Sequence, residues 1–174
     1  MPLSKEKNVI KLKGTIIFDP PDITKKHKKQ SSWKKHAMIV FEGDLCEYYS
    51  WFIFKRYMIN LNPPLRKPHI TFVNDKKSEI NNKWEDVKLK WNHKKIDIIL
   101  NVNPKTDSDD EGSKCHWWLN VPEEHREGIQ KIREEIGLNR PFFGLHMTIG
   151  YANSKNIEQS KYIHRLIKKK IIRY

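Results

Sequence analysis

Residues 59–71 read INLNPPLRKPHIT, and residues 136–148 read IGLNRPFFGLHMT. Laid over each other at a constant offset of 77, the stretches share six identities: Ile59 with Ile136, Leu61 with Leu138, Asn62 with Asn139, Pro64 with Pro141, His69 with His146 and Thr71 with Thr148. Further back, Arg56 matches Arg133 and Glu47 matches Glu124 at the same offset. Each copy ends in His-x-Thr. With 8 His and 5 Thr in 174 residues, chance placement gives roughly 0.2 such spacings. Two of them, in register with a repeat, point to a site built from two copies of one unit.

Working outward from the motifs, each copy predicts a strand, a helix and a returning strand. In the first, Ala37 to Phe41 reads as a strand, and Asp44 caps a helix to about Met58 with Leu45, Tyr48, Phe52 and Ile59 near one face. Leu65 to Val73 returns as a strand. In the second, Cys115 to Val121 is a strand. Pro122, Glu123 and Glu124 suit a helix start, His125, Ile129, Ile132 and Ile136 form one apolar face, and Gly137 suits the stop. Phe143 to Tyr151 returns.

Before the first copy, Val9 to Phe18 reads as a strand, followed by a basic loop, Asp22 to His36. Between the copies lie two predicted strands, Glu85 to Trp91 and Lys95 to Val102, with a turn at Asn92-His93, then an acidic loop, Lys105 to Lys114. Asn156 to Tyr174 reads as an amphipathic helix. The expected fold class is α+β: one domain over residues 1–174, with two pseudo-twofold-related strand–helix–strand lobes (about 36–75 and 115–151), antiparallel sheets flanking a central cleft, and a C-terminal helix over 156–174.

Along a strand, residues i and i+2 share a face. His69 and Thr71 therefore point one way and Ile70 and Phe72 the other; His146 and Thr148 are likewise opposed by Met147 and Ile149. Two imidazoles and two hydroxyls converging in a cleft suit phosphodiester cleavage. One neutral His takes a proton from the nucleophile and one protonated His gives a proton to the leaving oxygen. The Thr hydroxyls donate to non-bridging phosphate oxygens. No carboxylate cluster suggests a metal, and no cofactor is expected. A lone His on a strand is more often structural; the pairing favours catalysis. The remaining histidines, His27, His36, His93, His116, His125 and His164, read as surface or packing residues.

The net charge is +13 and the pI about 9.7. Such a balance suits an anionic partner, although a solvated lysine-rich surface accounts for it too. Cys46 and Cys115 are too few for a disulfide framework or zinc site, so a reducing compartment is expected. The polar, basic start, Met1 to Lys13, leads to the expectation of no signal peptide, and no apolar run reaches a membrane-spanning length.

The stretches PHITF at 68–72 and LHMTI at 145–149 resemble the paired H-x-T motifs of the two-histidine phosphoesterases, over about residues 36–151. That superfamily includes RNA 2′,3′-cyclic phosphodiesterases and viral 2′,5′-oligoadenylate phosphodiesterases. More closely, GTIIFD at 14–19, residues 48–75 and residues 115–150 are similar to the phage anti-CBASS phosphodiesterases, which degrade cyclic di- and trinucleotide messengers of bacterial defence. The resemblance implies His69 and His146 as acid and base, with Thr71 and Thr148 holding phosphate. It implies a metal-independent enzyme cleaving 3′,5′ bonds of cyclic oligonucleotides in the host bacterial cytoplasm.

The alternatives are a two-histidine esterase acting on RNA 2′,3′-cyclic ends or 2′,5′-linked oligonucleotides, and a non-catalytic nucleotide- or RNA-binding protein. The expected partner is a cyclic oligonucleotide or short RNA, not duplex DNA and not a membrane; oligomeric state carries no sequence signal. Trp33, in the basic loop, and Tyr151, after the second motif, are candidates for stacking on bases, with ordinary packing open for both. One of Trp117 and Trp118 is expected to face the cleft.

Overall fold

A computed structural model describes residues 8–21, 33–107, 114–141 and 144–169. Most of the basic loop (22–32), the acidic stretch 108–113 and the end of the tail lie outside the described residues. The chain runs β1 (Val9–Phe18), β2 (Ala37–Val40), α1 (Leu45–Tyr57), β3 (His69–Val73), α2 (Trp84–Trp91), β4 (Lys95–Asn101), β5 (Lys105–Thr106), β6 (Lys114–Asn120), α3 (Glu127–Glu135), β7 (His146–Asn153) and α4 (Ser154–Lys168). The fold is α+β.

The seven strands of the described residues join one sheet in the order β4-β1-β2-β3-β7-β6-β5, and every neighbouring pair is antiparallel. The separate sheets expected for two lobes are thus joined into one, through the pairing of Ile70 with Met147. This puts the two motif strands side by side at the centre, each flanked by the strand from its own copy.

The alternation predicted for the motif strands sets the core. Ile70, Phe72, Met147 and Ile149 are fully buried, joined by Ile16, Ile39, Leu119 and Ile132 in one apolar cluster. α1 packs against β7 and α3 against β3, so each copy's helix supports the other copy's motif strand. Arg133 fastens this crossing. It is 1% exposed, pairs bidentately with Asp75 at 2.8 and 2.9 Å, and donates to the carbonyls of Phe72 and Asn139.

Several expectations are corrected. Glu85 to Trp91 is helix α2, not a strand. Val87, Leu89 and Trp91 alternate as a strand would, yet Trp84 and Val87 are buried while Leu89 is 88% exposed. The period that governs is therefore helical, and Glu85 and Asp86 in the first turn with Lys88 and Lys90 in the last suit the dipole. Asp19 anchors this helix by accepting from Trp84 Nε1 and Lys88 Nζ.

On α1 the buried face is Cys46, Tyr49 and Ile53, with Tyr48 exposed. The helix is aromatic on several sides, so periodicity did not select the face. The hydrogen bond from Tyr49 Oη to the Val102 carbonyl does. Asp44 stands at the cap position without a side-chain cap bond.

Both returning strands start at the histidine, later than predicted. Pro63, Pro64 and Pro68 cannot donate to a ladder. The second helix is preceded by a 3₁₀ turn, Glu123–His125, and ends before Gly137, whose φ of +83° is left-handed. α4 starts at Ser154 behind a capping box between Asn153 and Asn156. Among the described residues no helix is long and apolar enough to cross a membrane.

Candidate active site

His69 and Thr71 on β3, and His146 and Thr148 on β7, are all half-buried between fully buried neighbours. They share the open face of the sheet. In the register set by Ile70 and Met147, His69 falls opposite Thr148 and Thr71 opposite His146. Directly opposed residues lie about 4.5–5.5 Å apart between Cα atoms. The two histidines are diagonal neighbours, which on a sheet means about 7–8 Å. Each imidazole is therefore grouped with the hydroxyl of the other copy.

The two rings are held alike. Nδ1 of His69 lies 2.8 Å from the carbonyl of Lys67, and Nδ1 of His146 lies 2.6 Å from the carbonyl of Gly144. Positions 67 and 144 are related by the same offset of 77. A carbonyl oxygen only accepts, so Nδ1 carries the proton in both rings. Nε2 is the nitrogen left for proton exchange: a neutral imidazole can accept there and an imidazolium can donate. Burial holds the His69 pKa below the ordinary histidine value. The charges of Arg66 and His146 add to this, and the bond to the Lys67 carbonyl opposes it.

The second motif opens onto a cleft of about 500 Å³ lined by Lys105, Asp107, His116, Trp118, Asn120, Gly144, His146 and Thr148. Of the tryptophan pair, Trp118 is the one on this face and Trp117 is buried in the core. The Trp118 ring stands 6.1 Å from that of His146, edge on. Its Nε1 donates to Asn120 Oδ1, which fixes the ring.

Tyr151 reaches this face through a bulge. Counting in twos from His146 puts Tyr151 on the core side. The register shifts between Trp117 and Trp118, however, so that Trp118 pairs with Thr148 but Trp117 with Gly150 and His116 with Tyr151. The extra residue restores Tyr151 to the motif face, where its ring lies 6.4 Å from that of His116. Gly150 is needed here. A Cβ on it would stand 2.7 Å from the Asn62 carbonyl, and Asn62 exchanges backbone hydrogen bonds with Tyr151.

Trp33 is placed elsewhere. The Arg66 guanidinium stacks 4.6 Å from its ring centroid and the His36 ring lies at 5.1 Å. Arg66 also donates to the Pro21 carbonyl. Trp33 thus packs on the segment leading into His69 and is not among the residues lining the second-motif cleft.

The sequence reading missed Lys105, Asp107, His116 and Asn120. His116, read as surface or packing, lines the cleft. Only β5–β6 pairing brings Lys105 and Asp107 there, and no local pattern signals it. His36 bonds Asn74, His164 reaches the Tyr57 carbonyl, His93 sits in a turn at φ +64°, and His125 in the 3₁₀ turn; His27 lies outside the described residues. Among the described residues no group of three or more His, Cys, Asp or Glu is placed to hold a metal ion. A scan against protein-family models, a search of curated proteins and a search of solved structures each return no match for this chain.

Proposed function

We propose that this chain is a two-histidine phosphoesterase: a metal-independent phosphodiesterase that cleaves the 3′,5′ bonds of cyclic oligonucleotide messengers. The observation that carries the reading is the pair of imidazoles, each anchored through Nδ1 to a backbone carbonyl two residues upstream, each opposite the other copy's threonine. The matched order β2-β3-β7-β6, with each helix under the other copy's strand, supports a two-lobed, pseudo-twofold arrangement about the cleft.

In this mechanism the scissile phosphate sits between the diagonal histidines. His69, held neutral by its burial, takes a proton through Nε2 from the attacking hydroxyl. His146 delivers a proton through Nε2 to the leaving oxygen. Thr71 and Thr148 donate to the non-bridging oxygens, where charge grows in the transition state. Attack by the ribose 2′-OH beside the scissile phosphate needs no bound water and keeps both reacting atoms in one molecule. The product then ends in a 2′,3′-cyclic phosphate. The resemblance to phage anti-CBASS enzymes supports cyclic di- and trinucleotides as substrates and an infected bacterial cytoplasm as the setting.

The test is incubation with cyclic dinucleotides, cyclic trinucleotides and 2′,3′-cyclic mononucleotides in EDTA, followed by chromatography. His69→Ala and His146→Ala should each lower turnover by at least about 10²-fold. Full activity in either variant, or loss of wild-type activity in EDTA, refutes the mechanism. Turnover of 2′,3′-cyclic mononucleotides alone moves the substrate to RNA ends.

A further inference from the structure

Lys105 and His116 line the same cleft as His146 and Thr148. Lys105 on β5 pairs with Trp118 on β6, and Trp118 pairs with Thr148 on β7. Paired residues share a face, so Lys105 stands on the motif side. His116 lies two residues from Trp118 along β6, about 7 Å by strand rise. Asp107 organises this corner. Its carboxylate accepts from the His116 backbone N–H and lies 3.2 Å from His116 Nδ1. Acting as an acceptor only, it holds the proton on Nδ1 and leaves Nε2 for a ligand.

Nothing in the acid–base chemistry uses this corner. A cyclic oligonucleotide, however, carries at least one phosphate besides the one under attack. That phosphate needs a cationic partner within reach of the first. We propose that Lys105 and His116, the latter oriented by Asp107, form an anchoring subsite for the phosphate of a cyclic oligonucleotide that is not being cleaved, an assignment that rests on the phosphodiesterase reading. The doubly protonated ring donates from Nδ1 to the Asp107 carboxylate and from Nε2 to a phosphate oxygen. Lys105 adds a second charge from the neighbouring strand. The Tyr151 ring beside His116 closes the corner and offers an apolar surface to the adjoining nucleoside. The subsite selects against substrates with a single phosphate, which leave it empty.

Calorimetric titration of the full chain with a cyclic dinucleotide carrying 2′-deoxyriboses, in EDTA, reads this subsite without turnover. Losing one charge-assisted contact should weaken affinity about tenfold. That is the result expected for His116→Gln and for Lys105→Ala, with thermal midpoints near wild type. His116→Lys should recover most of the affinity, because charge rather than ring shape is what binds. Against cleavable substrates, both weakened variants should lower the ratio of kcat/KM for cyclic dinucleotide to that for 2′,3′-cyclic mononucleotide by about the same factor. Unchanged affinity in both variants overturns the subsite, as does equal weakening by His116→Lys and His116→Gln. If the dinucleotide binds and the variants weaken it but the wild type turns over no substrate, the subsite stands and the phosphodiesterase reading falls. If nothing binds, both fall.

Discussion

Replacing Arg133 by Met tests how the two motif strands are held together. Methionine retains most of the apolar stem and removes the guanidinium. Four hydrogen bonds go with it: one to the Asn139 carbonyl at 2.9 Å, one to the Phe72 carbonyl at 2.6 Å, and two to Asp75 at 2.8 and 2.9 Å. The Arg133 and Asp75 side chains are 1% and 8% exposed, so the carboxylate left behind is largely cut off from water. Breaking a buried ion pair from one side costs about 3–5 kcal/mol, a large share of the roughly 5–15 kcal/mol that holds a domain. With a urea dependence of about 2 kcal/mol per molar, the unfolding midpoint should fall by roughly 1.5–2.5 M. Tryptophan fluorescence and far-ultraviolet circular dichroism, followed together at pH 7, measure it. A fall of less than about 0.5 M would show that Asp75 finds water or another donor, and would refute the reasoning. The double variant Arg133→Met with Asp75→Leu should recover much of the loss, because no charge is then left buried.

Three further outcomes follow from the geometry. Thr71→Val and Thr148→Val keep shape and remove the donor; each should lower kcat by roughly 10²-fold, and an effect on KM alone would assign them to ground-state binding. The acidic limb of the pH profile of kcat/KM should have its midpoint below the ordinary histidine value of 6.5, since in the proposed mechanism a neutral His69 is the base and rate is lost as pH falls through its lowered pKa; a midpoint above that value contradicts the assignment. Burial pushes Asp19 upward, but hydrogen bonds from Lys88, Lys35 and Trp84 outweigh it and hold its pKa below 3.8. Its contribution to stability is then complete above the unfolded value and fades as pH falls through the folded one, so the stability gap between wild type and Asp19→Asn, read from urea midpoints, should narrow below pH 4.

Residue order alone carried the repeat, the four motif residues and their separation from the core. Those depend on short-range geometry: a side chain two positions along a strand returns to the same face, so His69 and Thr71, or Ile70 and Phe72, sort themselves without reference to the rest of the chain. The strands β1, β2, β4 and β6 were legible for the same reason. Where local pattern was ambiguous, tertiary packing decided. Val87, Leu89 and Trp91 alternate like a strand, but Trp84 and Val87 dock as a helix and leave Leu89 in solvent. An α1 aromatic on several sides took its buried face from Tyr49 and Cys46. Identity across the repeat did not fix role either: Arg133 is the buried clasp, while its counterpart Arg56 is exposed beside Tyr57. What only the tertiary structure decided are the features that depend on which strands become neighbours. The pairing of β3 with β7 sets each histidine opposite the other copy's threonine. The carbonyls of Lys67 and Gly144 hold the proton on Nδ1 of each ring, and the bulge at Gly150 turns Tyr151 to the motif face. The β5–β6 pairing brings Lys105, Asp107 and His116 beside His146. Strand register is a long-range property, settled by the burial of whole faces and by backbone hydrogen bonds between distant segments, and no window of sequence contains it.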